Sequence, residues 1–316
     1  MQARKRQRGV AVITALLLTT LAVTIVASLF WQQQVQVRSM ENQRLHLQIQ
    51  WILRGTLDWT KLILQQDGRD HPNYTSLQHV WAVPVANTRI DQYIDRERVQ
   101  GEVFDASLSG QITDANSRFN LTNLAENGVP SNVDAFKKLL TQLRLDPGLA
   151  LPAAQFVAAG QTPAVLPPTN GGTPAAVVPV KQMTTIELDD LLDVSGFTVD
   201  VIDKLRKYVV VLPERTTVNA NTASAEVISA MIPNFSLAEA QALVAVRDRT
   251  PFLDKTRFDD AVGQQRAAKA DINVMSKYFL VQSWLKLDRA SLNTEALVKR
   301  ELGGQAETTV IWVHQN

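Results

Sequence analysis

Residues 4–31 read RKRQRGVAVITALLLTTLAVTIVASLFW, and this stretch decides the fold. Arg4, Lys5, Arg6 and Arg8 crowd together without an acid, and no further charge appears until Arg38. Val10 to Phe30 is dominated by Val, Ile, Leu and Ala, and about 20 such residues cross the hydrocarbon of a bilayer as a helix. The hydroxyls of Thr14, Thr19, Thr20, Thr24 and Ser28 are expected to bond back to the preceding turn, because lipid offers them no other partner. Trp31 stands where an interfacial aromatic belongs. Basic residues stay on the cytoplasmic side, so the chain beyond Trp31 is expected across the membrane, in a bacterium the periplasm.

Three readings fit such a start: a cleaved secretory signal, a signal anchor and a prepilin leader. The first is disfavoured, because the apolar run exceeds the roughly 7–15 residues of a signal-peptide core. It also ends in Phe30-Trp-Gln-Gln-Gln34 and not in a small-x-small cleavage site. The other two stay open on the leader alone.

Composition narrows the rest. The 316 residues carry 32 Lys+Arg against 31 Asp+Glu, which excludes a polybasic coat for nucleic acid. With 45% hydrophobic residues the chain builds cores and is expected to form two domains. The absence of cysteine removes disulfides, thiolate catalysis and cysteine-held metals.

Beyond Trp31 no proline occurs until Pro72, and Leu45, Ile49, Ile52, Trp59 and Ile63 fall near one helical face, so one long helix is expected to leave the membrane and pack on a sheet. Val99–Asp105 and Gln111–Asp114 read as two strands around a Ser107-Leu-Ser-Gly110 turn. Lys277–Leu287 and Thr308–His314 are β-branched or aromatic and read as closing strands.

The middle is helical. It opens with Asp114-Ala-Asn-Ser-Arg-Phe-Asn-Leu-Thr-Asn-Leu124, whose Asp and Asn side chains suit a turn and whose Phe119, Leu121 and Leu124 suit an anchor. Ser131 or Asn132 is the expected cap for a stripe of Val133, Phe136, Leu139, Leu140 and Leu143. Thr184-x-x-Glu187 and Ser236-x-x-Glu239 read as capping boxes. Between that stripe and Thr184, the segment Gln161–Pro179, rich in Pro, Gly and Ala, reads as a flexible loop.

Chemistry is sparse. His46, His71, His79 and His314 show no paired spacing, and no hydrolase, Walker or dinucleotide motif is present. Asp189, Asp190 and Asp193 form the densest acid cluster, but their spacing does not fit a calcium loop and reads as a solvated face.

The leader ending in Gly9, followed by Val10-Ala-Val-Ile-Thr14, resembles the signal of type IV pilins and pseudopilins. That resemblance implies cleavage by a prepilin peptidase between Gly9 and Val10 and N-methylation of Val10. Most pilins carry glutamate at the fifth mature position, where this chain has Thr14. The departure resembles the K-type minor pseudopilins of type II secretion, as do Ser117-Arg-Phe-Asn120 and the Val218-Asn-Ala-Asn-Thr222 start of a helix-hairpin-helix. The fold implied is α+β: a pilin-like body, with a long N-terminal transmembrane helix packed on a small antiparallel sheet, interrupted by an all-α domain. Its expected limits are 1–9 leader, 10–31 transmembrane helix, 32–125 first part of the body, 126–272 inserted domain and 273–316 closing strands. The resemblance implies a non-enzymatic tip subunit, partnered by I-type and J-type minor pseudopilins, the major pseudopilin, the prepilin peptidase and the inner-membrane assembly platform. It requires no cofactor, and it admits calcium without assigning ligands. The competing reading is an anchored helix-hairpin-helix protein gripping DNA during uptake. It is disfavoured because the turn Ile232–Ser236 lacks glycine and has Glu226 and Glu239 on the adjoining helices.

Overall fold

The computed structural model describes residues 8–89, 106–125, 130–160, 187–287, 290–301 and 307–315. The expected leader residues Arg4, Lys5 and Arg6, strand Val99–Asp105, loop Gln161–Pro179 and cap Thr184 lie outside them.

Helix α1 (Arg8–Asp70) runs unbroken for 63 residues, about 95 Å at the usual helical rise. Every residue from Val12 to Arg44 is exposed, and the most apolar part of this stretch reaches a mean hydropathy of 2.4. Thr19, Thr20 and Thr24 donate to the carbonyls of Leu16, Leu17 and Leu21 at 2.8–3.0 Å, which satisfies hydroxyls that hydrocarbon would leave bare. The helix then continues onto a sheet. Its buried face is Ile49, Leu53, Thr56, Leu57, Thr60, Leu64 and Asp67, at the three- and four-residue spacing of one helical side. Trp59, expected on that face, is 48% exposed. It lies well round the helix from Leu64, and its ring borders a groove with Val80 and Val83.

Strands β1 (Val85–Arg89) and β2 (Ala106–Asp114) follow, then β3 (Phe119–Asn120). The helical middle comprises α2 (Pro130–Gln142), α3 (Ala150–Gly160) and α4 (Val199–Leu205). After β4 (Val209–Val210) and β5 (Val218–Asn219) come α5 (Ala225–Met231), α6 (Leu237–Arg249), α7 (Lys255–Val262) and α8 (Gln264–Ala267). The chain closes with β6 (Ile272–Asn273), β7 (Tyr278–Leu287), β8 (Ala290–Arg300) and β9 (Thr308–Gln315).

The main sheet has the order β1-β2-β7-β8-β9 and is antiparallel throughout. Alternation along β7 sorts its side chains: Phe279, Val281, Leu285 and Leu287 meet α1, whereas Tyr278 and Leu280 meet Val210, Leu212 and Leu297 on the other face. Ser107–Gly110, expected as a turn, is instead inside β2, paired with Ser283–Lys286. Leu108 enters the α1-facing core. A Cβ at Gly110 would sit 3.1 Å from the Gln282 carbonyl, so this glycine serves close strand approach and makes no turn.

The chain leaves the sheet at Asp114 and returns at Tyr278, and Asp114 is paired with Phe279. Everything between is therefore inserted at one spot. Its own core joins Phe119, Phe136, Leu139, Leu140, Leu205, Ile228, Ile232 and Phe258. One start differs from expectation. Helix α2 begins at Pro130, so Ser131 and Asn132 fall in its first turn, where proline loses no bond by lacking an amide. Asn132 donates to the Asn123 carbonyl at 3.1 Å instead. Near Glu187 a short 3-10 turn (Leu188–Asp193) forms, and Asp190 accepts from the Glu187 amide at 3.1 Å. The Ser236–Glu239 box forms as read; with Ser236 and Arg266 it holds the Glu239 carboxyl down to about 2.

Replacing Leu64 with alanine is expected to cost about 2–5 kcal/mol in chemical denaturation, whereas Trp59→Ala stays within about 1 kcal/mol. Equal costs would put Trp59 back in the core.

Candidate functional site

The neck where the insertion joins the sheet is held by one buried carboxylate. Asp114 ends β2, and its Oδ1 accepts from the Asn116 amide at 2.8 Å. Its Oδ2 accepts from Thr222 Oγ1 at 2.6 Å, from Asn219 Nδ2 at 3.0 Å and from Ser276 Oγ. Burial pushes the Asp114 carboxyl up, and these donors oppose that shift without cancelling it. Asn116 completes the joint: its Oδ1 accepts from the Lys277 and Tyr278 amides at 3.1 and 2.9 Å, and its Nδ2 donates to the Thr217 carbonyl at 3.0 Å.

The network extends into the body. Asn219 Nδ2 also lies 3.1 Å from the Thr75 carbonyl, and the Thr75 hydroxyl accepts from the Ser276 amide and from Arg300 Nη2. Arg300, 1% exposed, pairs with Asp67 at 2.6 Å. Burial alone would raise the Asp67 carboxyl, but its contacts with His79 and Arg300 outweigh that and lower it. One chain of polar contacts thus runs from the end of α1 through the neck to the insertion.

The two asparagine-rich motifs are spent on this scaffolding. Asn221 exchanges two 2.9 Å bonds with the Phe252 backbone. Asn120 and Asn123 bind the backbone of residues 212–216 in the same way. The sequence pointed to local turn bonds, and Asp114 to Asn116 is one; most of the others span some 90 to 160 residues.

Helices α5 and α6 form the expected hairpin. Asn234, with φ 54°, takes the left-handed position that glycine often fills. Lys138 of α2 donates to the carbonyls of Ser229, Ile232 and Phe235 at 2.6, 3.1 and 2.7 Å. The ammonium a phosphate would seek is therefore turned onto the hairpin's own carbonyls.

Of the sequence-read site residues, Gly9 and Val10 lie in the first turns of α1, and Thr14 is an exposed position on it. Asp189 pairs with Arg206 at 2.6 Å, Asp190 bonds the Glu187 amide, and Asp193 is exposed. The three do not gather their carboxylates at one point. The histidines held a surprise: His71 and His79 meet at Asp67, a cluster with no counterpart among the other described residues. The available signal was Asp67-x-x-x-His71 at a helix end, one turn apart.

A membrane-length helix running onto an antiparallel sheet, with a helical domain inserted between two adjacent strands, defines a pilin-like protein with an enlarged head. Two family models, both described as type II secretion system protein K, match residues 117–214 and 218–281, together just over half of the chain. The type II secretion system protein K of Pseudomonas aeruginosa is 26% identical over 95% of this chain and 91% of its own. That of Pectobacterium carotovorum is 26% identical over 96% and 94%. A crystal structure of the GspK-GspI-GspJ complex from the enterotoxigenic Escherichia coli type 2 secretion system shares the fold, with TM-score 0.61 at 18% identity over 88% of this chain and 99% of that one. The chain belongs to the type II secretion system protein K family. It is a minor pseudopilin of that system.

Asp114→Asn turns an acceptor into a donor among three donors and is expected to cost about 1–3 kcal/mol in urea denaturation. An unchanged midpoint would mean the neck does not depend on this carboxylate.

Proposed function

We propose that this subunit stands at the tip of the pseudopilus in complex with I-type and J-type minor pseudopilins, where it initiates assembly and limits growth. The observation that carries the reading is that α1 has two apolar sides. Ile49, Leu53, Thr60 and Leu64 face the sheet, while Met40, Leu47, Trp51 and Leu62, at 61–65% exposure, form a second stripe almost opposite. Such a stripe costs free energy in water and suits a neighbouring helix. In the related crystal structure GspK is in complex with GspI and GspJ, which makes their counterparts the natural occupants.

Asp67 lies 36 residues beyond Trp31, which sets the neck about 50 Å along the helix from the membrane interface. A head mounted there obstructs the position of a subunit above. On this reading α1 anchors the precursor in the bacterial inner membrane with the bulk in the periplasm, and the prepilin peptidase cuts between Gly9 and Val10 and methylates Val10. Thr14 replaces the usual acid because a topmost subunit has no amine above it to neutralise. The assembly platform and the major pseudopilin then build beneath it. The role is mechanical: it calls for neither catalysis nor a required cofactor, and with Lys138 turned inward it does not engage nucleic acid.

Two measurements test this. Full-length protein co-expressed with I- and J-type pseudopilins is expected to co-purify with both, and Trp51→Glu to reduce recovery while leaving the circular dichroism unchanged; failure of the unaltered protein to bring either down would sink the assignment. Mass spectrometry of protein from native membranes is expected to find N-methylated Val10 as the first residue, with cleavage lost in Gly9→Val. An intact leader in the presence of active peptidase would make the segment an ordinary signal anchor.

A further inference from the structure

We propose that Asp67, His71 and His79 form a binding site for a divalent transition-metal ion, zinc in the first instance. Asp67 and His71 sit one turn apart at the end of α1, and the turn is continued by the His71 amide bonding the Asp67 carbonyl at 2.8 Å. The chain then doubles back, pinned by the Thr75 amide on the Val274 carbonyl at 2.8 Å. That return lays His79 against the same carboxylate. Asp67 Oδ1 is 3.1 Å from His71 Nδ1 and 2.7 Å from His79 Nδ1, and one donor atom from each residue falls within 4.8 Å of the others.

His79 supplies the second observation. Its side chain is 5% exposed, and apart from the 2.7 Å approach of Nδ1 to Asp67 Oδ1 neither ring nitrogen has a partner. Buried imidazole nitrogens ordinarily find partners, and a metal ion is the ligand that would satisfy this one.

The donor set names the metal class. Two imidazoles and one carboxylate match the three protein ligands of open zinc sites, whereas calcium and magnesium take all-oxygen shells. Zinc bonds of about 2.0–2.1 Å in a tetrahedron place donors about 3.3 Å apart, a few tenths beyond the two spacings present. The imidazole rings now stack, 23° apart with centroids separated by 3.8 Å, so binding requires them to splay. His71 provides that freedom: it follows the last residue of α1 and its side chain is 35% exposed. Water would take the fourth position on this open side.

Outer partners are in place. Arg300 Nη1 holds Asp67 Oδ2 at 2.6 Å, leaving Oδ1 for the imidazoles. Tyr74 packs edge-on to both rings, at 5.5 Å from His71 and 4.9 Å from His79. The guanidinium also repels a cation, so affinity falls below that of a site lacking it. A bound ion would clip the end of α1 to the connection beside Thr75, directly under the neck.

The test uses full-length protein in detergent, stripped with a chelator and titrated with zinc against a chromophoric competitor, with cobalt as the visible probe. One zinc per chain is expected, with the strong visible bands of four-coordinate cobalt. His79→Gln should abolish binding, and His71→Gln should weaken it by more than the roughly tenfold that loss of an outer partner costs. His46→Gln, altering an exposed residue of α1, should leave it unchanged. Zinc should raise the melting temperature of the unaltered protein and not that of His71→Gln, whose surface position keeps the variant folded even if His79→Gln is not. Absence of stoichiometric zinc, retention of binding in His71→Gln, or displacement of zinc by an equal concentration of calcium would each overturn the site.

Discussion

The structure depends on a buried carboxylate that must be satisfied. Asp114 sits where the chain leaves the sheet for the inserted domain, and its oxygens gather four donors from three stretches of chain: Asn116, Asn219 with Thr222, and Ser276. A charge out of water is costly unless fully bonded, so these segments hold position together or not at all. That constraint turns two adjacent strand ends, which alone would form a flexible tether, into a fixed neck. A head of about half the chain is thereby held at a defined angle on the body.

The same logic governs the long helix. Among the described residues nothing covers its outer part, and its inner part divides between a face buried on β7 and β8 and an apolar face left open. Stability therefore comes from one side and assembly from the other. The Asp67–Arg300 pair locks the end of this helix to β8, so strain applied to the helix is passed to the sheet and, through Thr75, to the neck. Removing one partner of such a pair leaves a bare buried charge, which is why the helix end is not free to slide.

The hairpin of α5 and α6 illustrates how one local motif serves different ends. Where such a unit offers backbone amides to phosphate, the turn must be open and its surroundings basic. Here Asn234 makes the tight turn, Lys138 fills its carbonyl side, and Gln142 bonds Ser229 beside it at 2.8 Å. The hairpin has become a packing element of the head.

Much of this was legible in the sequence because it is periodic or local. The apolar run after Gly9, the helix caps at Ser236 and the closing strands depend on residues a few positions apart, and near-neighbour physics fixes them. What tertiary structure decided involves distant partners. Ser107–Gly110 has turn chemistry, but β7 extends it as strand; Trp59 lies within reach of the core stripe by spacing, but the sheet takes the Leu64 side. Asn116, Asn219 and Asn221 reveal their purpose only when residues from 31 to 162 positions away arrive beside them. His71 and His79 carry no pairing signal along the chain; they meet because the segment after α1 is forced back against Asp67 by contacts made at Val274 and Arg300. Sequence determined the elements and the class of protein, while long-range packing decided the neck and the site beneath it, since contacts between remote residues leave no local periodicity.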